Sequence, residues 1–252
     1  MYQKNENQDL GGQRTAPQSP HPFFLIPKKR LIVAVDGPAG SGKGTVCRAV
    51  ASRLGFEYLD TGAIYRAVAL SALRQSITDP DALIKMIQKL NFKFQSVAPM
   101  RYHAFLNDED VTDTLREERV GQMASQVATI ESVREALLEF QRRYGGDHSV
   151  ILDGRDVGTV VFPEADLKIF MTASLEERAK RRALELQQAG KTVNFLEIQD
   201  RMQERDERDA ERQCAPLRPA PDAKMVDTTR LTPEECTHQV IQFITMLIRE
   251  ST

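Results

Sequence analysis

Nine residues, Gly37-Pro38-Ala39-Gly40-Ser41-Gly42-Lys43-Gly44-Thr45, carry the most legible chemistry in the chain. Glycines let successive backbone N–H groups converge on phosphate oxygens, and a helix opening after such a loop adds its positive end. Lys43 would reach the β- and γ-phosphates of a nucleotide. The hydroxyl residue that usually follows the lysine is displaced by one, because Gly44 intervenes and Thr45 carries the hydroxyl. That hydroxyl would face Mg²⁺, directly or through water. A GTPase switch would add a guanine-reading NKxD, which does not occur. An ATPase motor would end a long apolar strand in an acidic pair. Here Val150-Ile151-Leu152 ends in Asp153 alone, followed by Gly154-Arg155-Asp156.

Further charged groups recur where such a loop would need them. Asp60-Thr61-Gly62-Ala63-Ile64-Tyr65-Arg66 offers a hydroxyl and, about one helical turn on, a guanidinium fork for phosphate. An N-cap with a surface arginine would look similar. Asp153, Arg155 and Asp156 at a strand's carboxyl end are poor core residues, and such ends are where open α/β sheets bind ligands. Arg178, Arg181 and Arg182 cluster within little more than a turn, and Arg205, Asp209 and Arg212 are spaced i, i+4, i+7 on one helix face. Two arginine-lined helices joined through Gln188-Ala189-Gly190-Lys191 read as a closing lid that excludes water. A solvated, salt-bridged helix pair using Glu176, Glu177, Glu204 and Asp206 is the alternative.

The elements that must position these groups follow from the apolar pattern. Leu31-Ile32-Val33-Ala34-Val35 reads as a strand buried on both faces, as in a parallel sheet. A helix over about 43–54, a strand over Phe56–Leu59 and a helix over Thr61–Gln75 give β-α-β-α, hence an α/β fold. Residues 79–115 read as a small insert, with a short helix over 79–90 and antiparallel strands around Phe92, Phe94 and Tyr102–Leu106. Asn107 to Asp110 would form a turn. The helical period returns over 116–143, stopped at Gly145-Gly146. Strands at Val150–Leu152, Leu167–Met171 and Lys224–Asp227, and helices over about 174–189, 194–212 and 233–249, complete a five-stranded parallel core over 31–78 and 116–252. The lid lies within it at about 174–212. Residues 1–30 hold four of the twelve prolines without periodicity and read as a disordered tail.

Composition narrows the partners. The 252 residues are 41% hydrophobic and 28% charged with formal net charge −2, which excludes a polycation built for nucleic acid. Of 34 cations, 23 are Arg and 11 Lys, which points to arginines gathered around a small anion rather than a general polyanion surface. Cys47, Cys214 and Cys236 share no CxxC spacing, which fits a reducing, cytoplasmic compartment. No apolar run approaches the roughly 18 residues of a membrane span.

The GKGT form of the loop resembles nucleoside monophosphate kinases of the adenylate kinase type. As a set, GPAGSGKGT, LDTGAIYR, SQVATIESVREAL, DGRDVGTVVFP, ASLEERAKRR and ERDERDAERQCAPL resemble bacterial cytidylate kinase over about residues 31–247. The resemblance implies a P-loop five-stranded parallel core, an enlarged nucleotide-binding insert and an arginine-rich lid. It implies transfer of the γ-phosphoryl of ATP to CMP or dCMP with Mg²⁺, by what is expected to be a monomer. Gly37 to Thr45 would hold ATP, with Lys43, Arg155, Arg178 and Arg182 in the catalytic set. Thr61, Arg66, Ser125, Arg134, Arg155, Asp156, Arg205, Asp209 and Arg212 would hold CMP. Thr61 stands where the family often has Ser, and residues 1–30 have no counterpart in its common form.

The chemistry of cytosine is compatible with that set. Its amino group needs an acceptor, which Ser125 or Asp156 supplies. Its N3 and O2 need donors, which Arg134 or Arg212 supplies. Uracil reverses two of these groups, and a buried unpaired polar group costs about 1–3 kcal/mol. The acceptor phosphate is already ionised at neutral pH, so no general base is required. The competing expectation is a non-catalytic P-loop nucleotide-binding switch or interaction protein, for which acceptor-side arginines have no use.

Overall fold

The computed structural model describes residues 30–143, 146 and 148–250. The tail over 1–29 and the helix stop at Gly145 lie outside the described residues. The chain begins β1 (Ile32–Asp36), α1 (Lys43–Leu54), β2 (Glu57–Asp60), α2 (Thr61–Gln75) and α3 (Pro80–Gln88). It continues β3 (Phe92–Ala98), β4 (Arg101–Leu106), β5 (Glu109–Asp110), α4 (Glu118–Val127) and α5 (Glu131–Arg143). Then follow β6 (Val150–Gly154), β7 (Leu167–Thr172), α6 (Leu175–Gln188), α7 (Phe195–Glu211), β8 (Lys224–Asp227) and α8 (Pro233–Glu250).

The main sheet has the order β2-β6-β1-β7-β8 with every pairing parallel. All five residues of β1 and all five of β6 are buried, as two-sided coverage by helices requires. Alternation along β1 splits the core. Val33 and Val35 pack with Val46 and Val50 of α1 and Val240 and Ile244 of α8. Ile32 and Ala34 face the other layer, with Ile64 and Val68 of α2, Val127 of α4 and Leu137 of α5. The carboxyl ends of β1, β2 and β6 therefore open on one edge, beside the loop at 37–42.

Three local features depart from the sequence-based expectation. The helix expected over 116–143 is two helices, preceded by a single 3-10 turn at Thr114–Arg116. Thr129 ends α4 by donating both its N–H and its hydroxyl to the Gln126 carbonyl, at 3.0 and 2.7 Å. The break has a consequence for geometry. In one straight helix Ser125 and Arg134, nine residues apart at about 100° each, would point to opposite sides. The second departure is at Asn107–Asp108, both left-handed (φ 51 and 65), which make the turn alone. Glu109 and Asp110 pair with Leu106 and Phe105 as a short third strand of the antiparallel β3-β4-β5 sheet. Third, Val157–Val161 forms a π-helical turn, for which no pattern in the chain was a signal.

The residues of 79–115 are not packed apart from the core: Leu83, Phe92, Leu106 and Leu115 share one buried cluster with α2 and α5. Among the described residues, no helix is long and apolar enough to cross a membrane.

Candidate active site

One cavity of about 880 Å³ opens at the sheet edge, lined at one end by Gly40, Gly42, Lys43, Gly44 and Thr45. Gly40 and Gly42 are left-handed (φ 75 and 87), which glycine adopts without cost. Gly37 is needed for space as well: a Cβ there would lie 1.9 Å from the Met171 carbonyl oxygen. Gly37, Pro38 and Ser41 shape the loop from behind, outside the cavity wall. The Lys43 ammonium donates to the Pro38 carbonyl (2.8 Å) and the Ser41 hydroxyl (3.3 Å). Burial and the nearby Arg155 push Lys43 down to about 7, against the pull of Asp153. A cation held at that cost is completed by an anion entering the cavity.

The opposite end of the same cavity is built from side chains on five segments. Thr61, Arg66, Ser125, Arg134, Arg155, Asp156, Arg205, Asp209 and Arg212 all line it. Thr61, at the start of α2, donates its hydroxyl to the Asp153 carbonyl (2.8 Å), tying α2 to the end of β6. Arg66 donates to the Leu115 carbonyl (2.7 Å) and lies against Gly121, where a Cβ would sit 3.1 Å from its guanidinium. Arg134 pairs with Asp156 and lies over the Tyr65 ring at 5.6 Å. Burial raises Asp156 above the ordinary carboxylate range, and Arg134, Arg212 and Arg155 oppose that. Asp209 accepts from Arg155 (3.0 Å) and faces Arg205 at 4.0 Å.

Two guanidinium nitrogens on this wall have a carboxylate only beyond hydrogen-bond reach: Arg205 Nε lies 4.0 Å from Asp209 and Arg212 Nη2 lies 3.6 Å from Asp156. Arg205 Nε and Arg212 Nη2 are buried without a hydrogen-bond partner. Burial, then Arg155, push Arg205 down to about 10. Buried donors that have an ion-pair partner but no hydrogen bond would gain one from an anion or a ring acceptor.

The lid arginines divide. Arg182 lines the cavity. Arg178 does not; it is buried beneath the loop, donating to the Ala39 and Ala173 carbonyls (3.1 and 3.0 Å) and pairing with Asp206 of α7 at 2.6 Å. Arg181 is turned toward β8, donating to the Thr228 carbonyl and hydroxyl (2.7 and 3.0 Å).

Sequence reasoning passed over several cavity residues. Arg208 donates to the Ser125 hydroxyl at 3.0 Å and lines the cavity. Its i+3 spacing from Arg205 placed it on the same stripe. Arg48, one turn beyond Thr45, and Tyr65 also line the wall. Gly121, a helix-interior glycine that costs stability unless it makes room for something, was a readable signal for Arg66. Asp36 was not readable. It accepts from the Val157 and Gly158 amides (both 2.8 Å), tying the strand before the P-loop to the turn after Asp156.

A phosphate loop between a parallel strand and a helix, facing an arginine wall across one cavity, defines a P-loop phosphotransferase. The family model described as cytidylate kinase matches residues 33–246, and the chain belongs to that family. A cytidylate kinase of Magnetococcus marinus is 54% identical over 222 residues, covering 88% of this chain and 99% of the relative. One from Vibrio cholerae is 47% identical over 84% of this chain and 95% of its own length. Another, from Desulfitobacterium hafniense, is 46% identical over 85% and 92%.

Proposed function

We propose that this chain is a nucleoside monophosphate kinase that moves the γ-phosphoryl of ATP to CMP or dCMP, giving ADP and CDP or dCDP. The observation that carries this reading is one cavity with a glycine-shaped phosphate cradle at one end and, at the other, an arginine wall in which Arg205 Nε and Arg212 Nη2 lack hydrogen-bond partners. Both walls come from one chain, so a monomer suffices. Family membership and free cysteines at Cys47, Cys214 and Cys236 support a cytoplasmic enzyme.

The residues present fit Mg²⁺ carried by the nucleotide. Among the described residues no cluster of three His, Cys, Asp or Glu could hold an ion alone, so phosphate oxygens must complete the shell. At the start of α1, Thr45 lines the cavity and carries a hydroxyl. Asp153 presents Oδ2 beside Gly44, and a Cβ on Gly44 would sit 3.3 Å from that oxygen. These two side chains would hold the ion, directly or through water. When bound, it would neutralise charge on the β- and γ-phosphate oxygens.

The chain's own groups then do the positioning. The loop amides and Lys43 hold the donor phosphates. Arg66, Arg155 and Arg205 grip the acceptor phosphate so that its oxygen lies in line with the γ-phosphorus. Arg182 reaches the transferring group from the lid, while Arg178 holds the loop and α7 in one arrangement. Ser125, Arg134, Asp156 and Arg212 read the base, and Asp209 orients Arg155 and Arg205. The arginines supply charge stabilisation where the transition state needs it, and no proton transfer is required.

A coupled ADP-release assay across CMP, dCMP, UMP, AMP and GMP tests the reading. CMP and dCMP should give the highest kcat/KM, with UMP lower by about tenfold to a hundredfold. Faster turnover with AMP or GMP would overturn the base assignment. ATP binding without CMP-dependent turnover would leave only a nucleotide-binding switch.

A further inference from the structure

We propose that Tyr58 is a positioning residue for phosphoryl transfer, its hydroxyl aiming the Asp153 carboxylate at the first turn of α1. The proposal rests on the reading above, in which that turn meets a nucleotide-bound divalent cation.

Tyr58 lies on β2 with its side chain buried, and its hydroxyl donates to Asp153 Oδ1 at 3.3 Å. The other carboxylate oxygen is the one beside Gly44. A Cβ built on Gly44 would lie 3.3 Å from Asp153 Oδ2 and 3.5 Å from the Tyr58 hydroxyl. Tyr58, Asp153 and the helix start thus meet at one point. Any side chain at position 44 would crowd it. The two oxygens are placed differently: Oδ1 is anchored by the phenol and Oδ2 lies against the first turn of α1. Phenylalanine at position 58 would leave Oδ1 without this donor and free the carboxylate to rotate.

The phenol is itself braced. Its ring meets Phe94 edge-on at 5.7 Å and Tyr102 at 4.9 Å, and those two rings stack on each other at 5.5 Å. Phe94 belongs to β3 and Tyr102 to β4, so the antiparallel sheet fixes a hydroxyl at the floor of the phosphate site. That gives residues 92–106 a role at the donor end of the cavity, although none of them lines it.

Tyr58→Phe keeps the ring and removes only the hydroxyl. Two quantities should fall together by about three- to tenfold: kcat at limiting Mg²⁺, and the affinity for Mn²⁺ measured by electron paramagnetic resonance on the full chain with a non-hydrolysable ATP analogue. KM for CMP should change less than about twofold. Phe94→Ala, which loosens the brace, should produce a smaller loss in the same two quantities. Unchanged Mn²⁺ affinity in Tyr58→Phe overturns the proposal. So does a lower Tm with both quantities intact, since that is ring packing alone. A wild-type chain without CMP turnover would defeat the functional reading, and the Mn²⁺ comparison would still decide the role of Tyr58.

Discussion

The two ends of the cavity are built by opposite means. The proposed donor end comes from one run of nine residues, and what it would offer a phosphate is mainly backbone amides set by glycine geometry. The proposed acceptor end draws on α2, α4, α5, α7 and the segment after β6, and what it would offer a ligand is mainly charged side chains. Those charges are held in internal pairs: Arg134 with Asp156, Arg155 with Asp209, and Arg212 with Asp156 at 3.6 Å. A backbone cradle is complete before ligand arrives. A paired-charge wall must exchange partners, so the acceptor is the ligand whose arrival is expected to rearrange the site.

This contrast predicts different failures. At the donor end a single side chain should matter most. Lys43→Ala should lower kcat by about 10²–10³-fold while leaving KM for CMP within a few-fold and the fold intact. Steady-state kinetics and a thermal melt check both halves, and near-normal kcat would remove Lys43 from the mechanism. At the acceptor end the loss should spread through the network. Asp209 is buried and serves Arg155 and Arg205 together, so Asp209→Ala strands two cations. KM for CMP should rise about tenfold or more, with KM for ATP within about twofold. Equal loss of both would mean that Asp209 only joins helices, and the two ends would not be separable.

The same contrast explains what could be read from the chain. Contiguous chemistry was legible. The loop at 37–45, the buried alternation of β1 and the i, i+4, i+7 stripe of α7 each lie within one element, where spacing determines direction. Chemistry assembled across the fold was not. Arg178, Arg181 and Arg182 look equivalent in the sequence, yet one supports the loop, one binds Thr228 just after β8 and one lines the cavity. Their destinations depend on Ala39, Thr228 and the cavity edge, all more than forty residues away or set by tertiary packing. The break after Val127 was hidden for another reason. Thr129 ends the helix with a hydroxyl bond to Gln126, and a threonine in a helical pattern carries little warning of that.

Asp36 offers the finest test, because it joins the two ends. It precedes the phosphate loop, and its carboxylate receives the amides of Val157 and Gly158 just beyond Asp156. Two opposing effects act on it. Burial is the larger and raises it from its ordinary 3.8 to about 6; the two amide bonds pull the other way. A native state that binds the proton more tightly is favoured at low pH. Its contribution is fully present below about pH 4 and is lost as pH rises through about 6, by at most about 3 kcal/mol. Asn at this position does not titrate and satisfies only one of the two amides. The stability of the wild type relative to Asp36→Asn, from urea unfolding at pH 4 to 8, should therefore decline up to about pH 6 and then level off. A rise over the same window would mean that the amide bonds outweigh burial. Asp36 would then belong, like the loop it precedes, to the backbone-built half of the site.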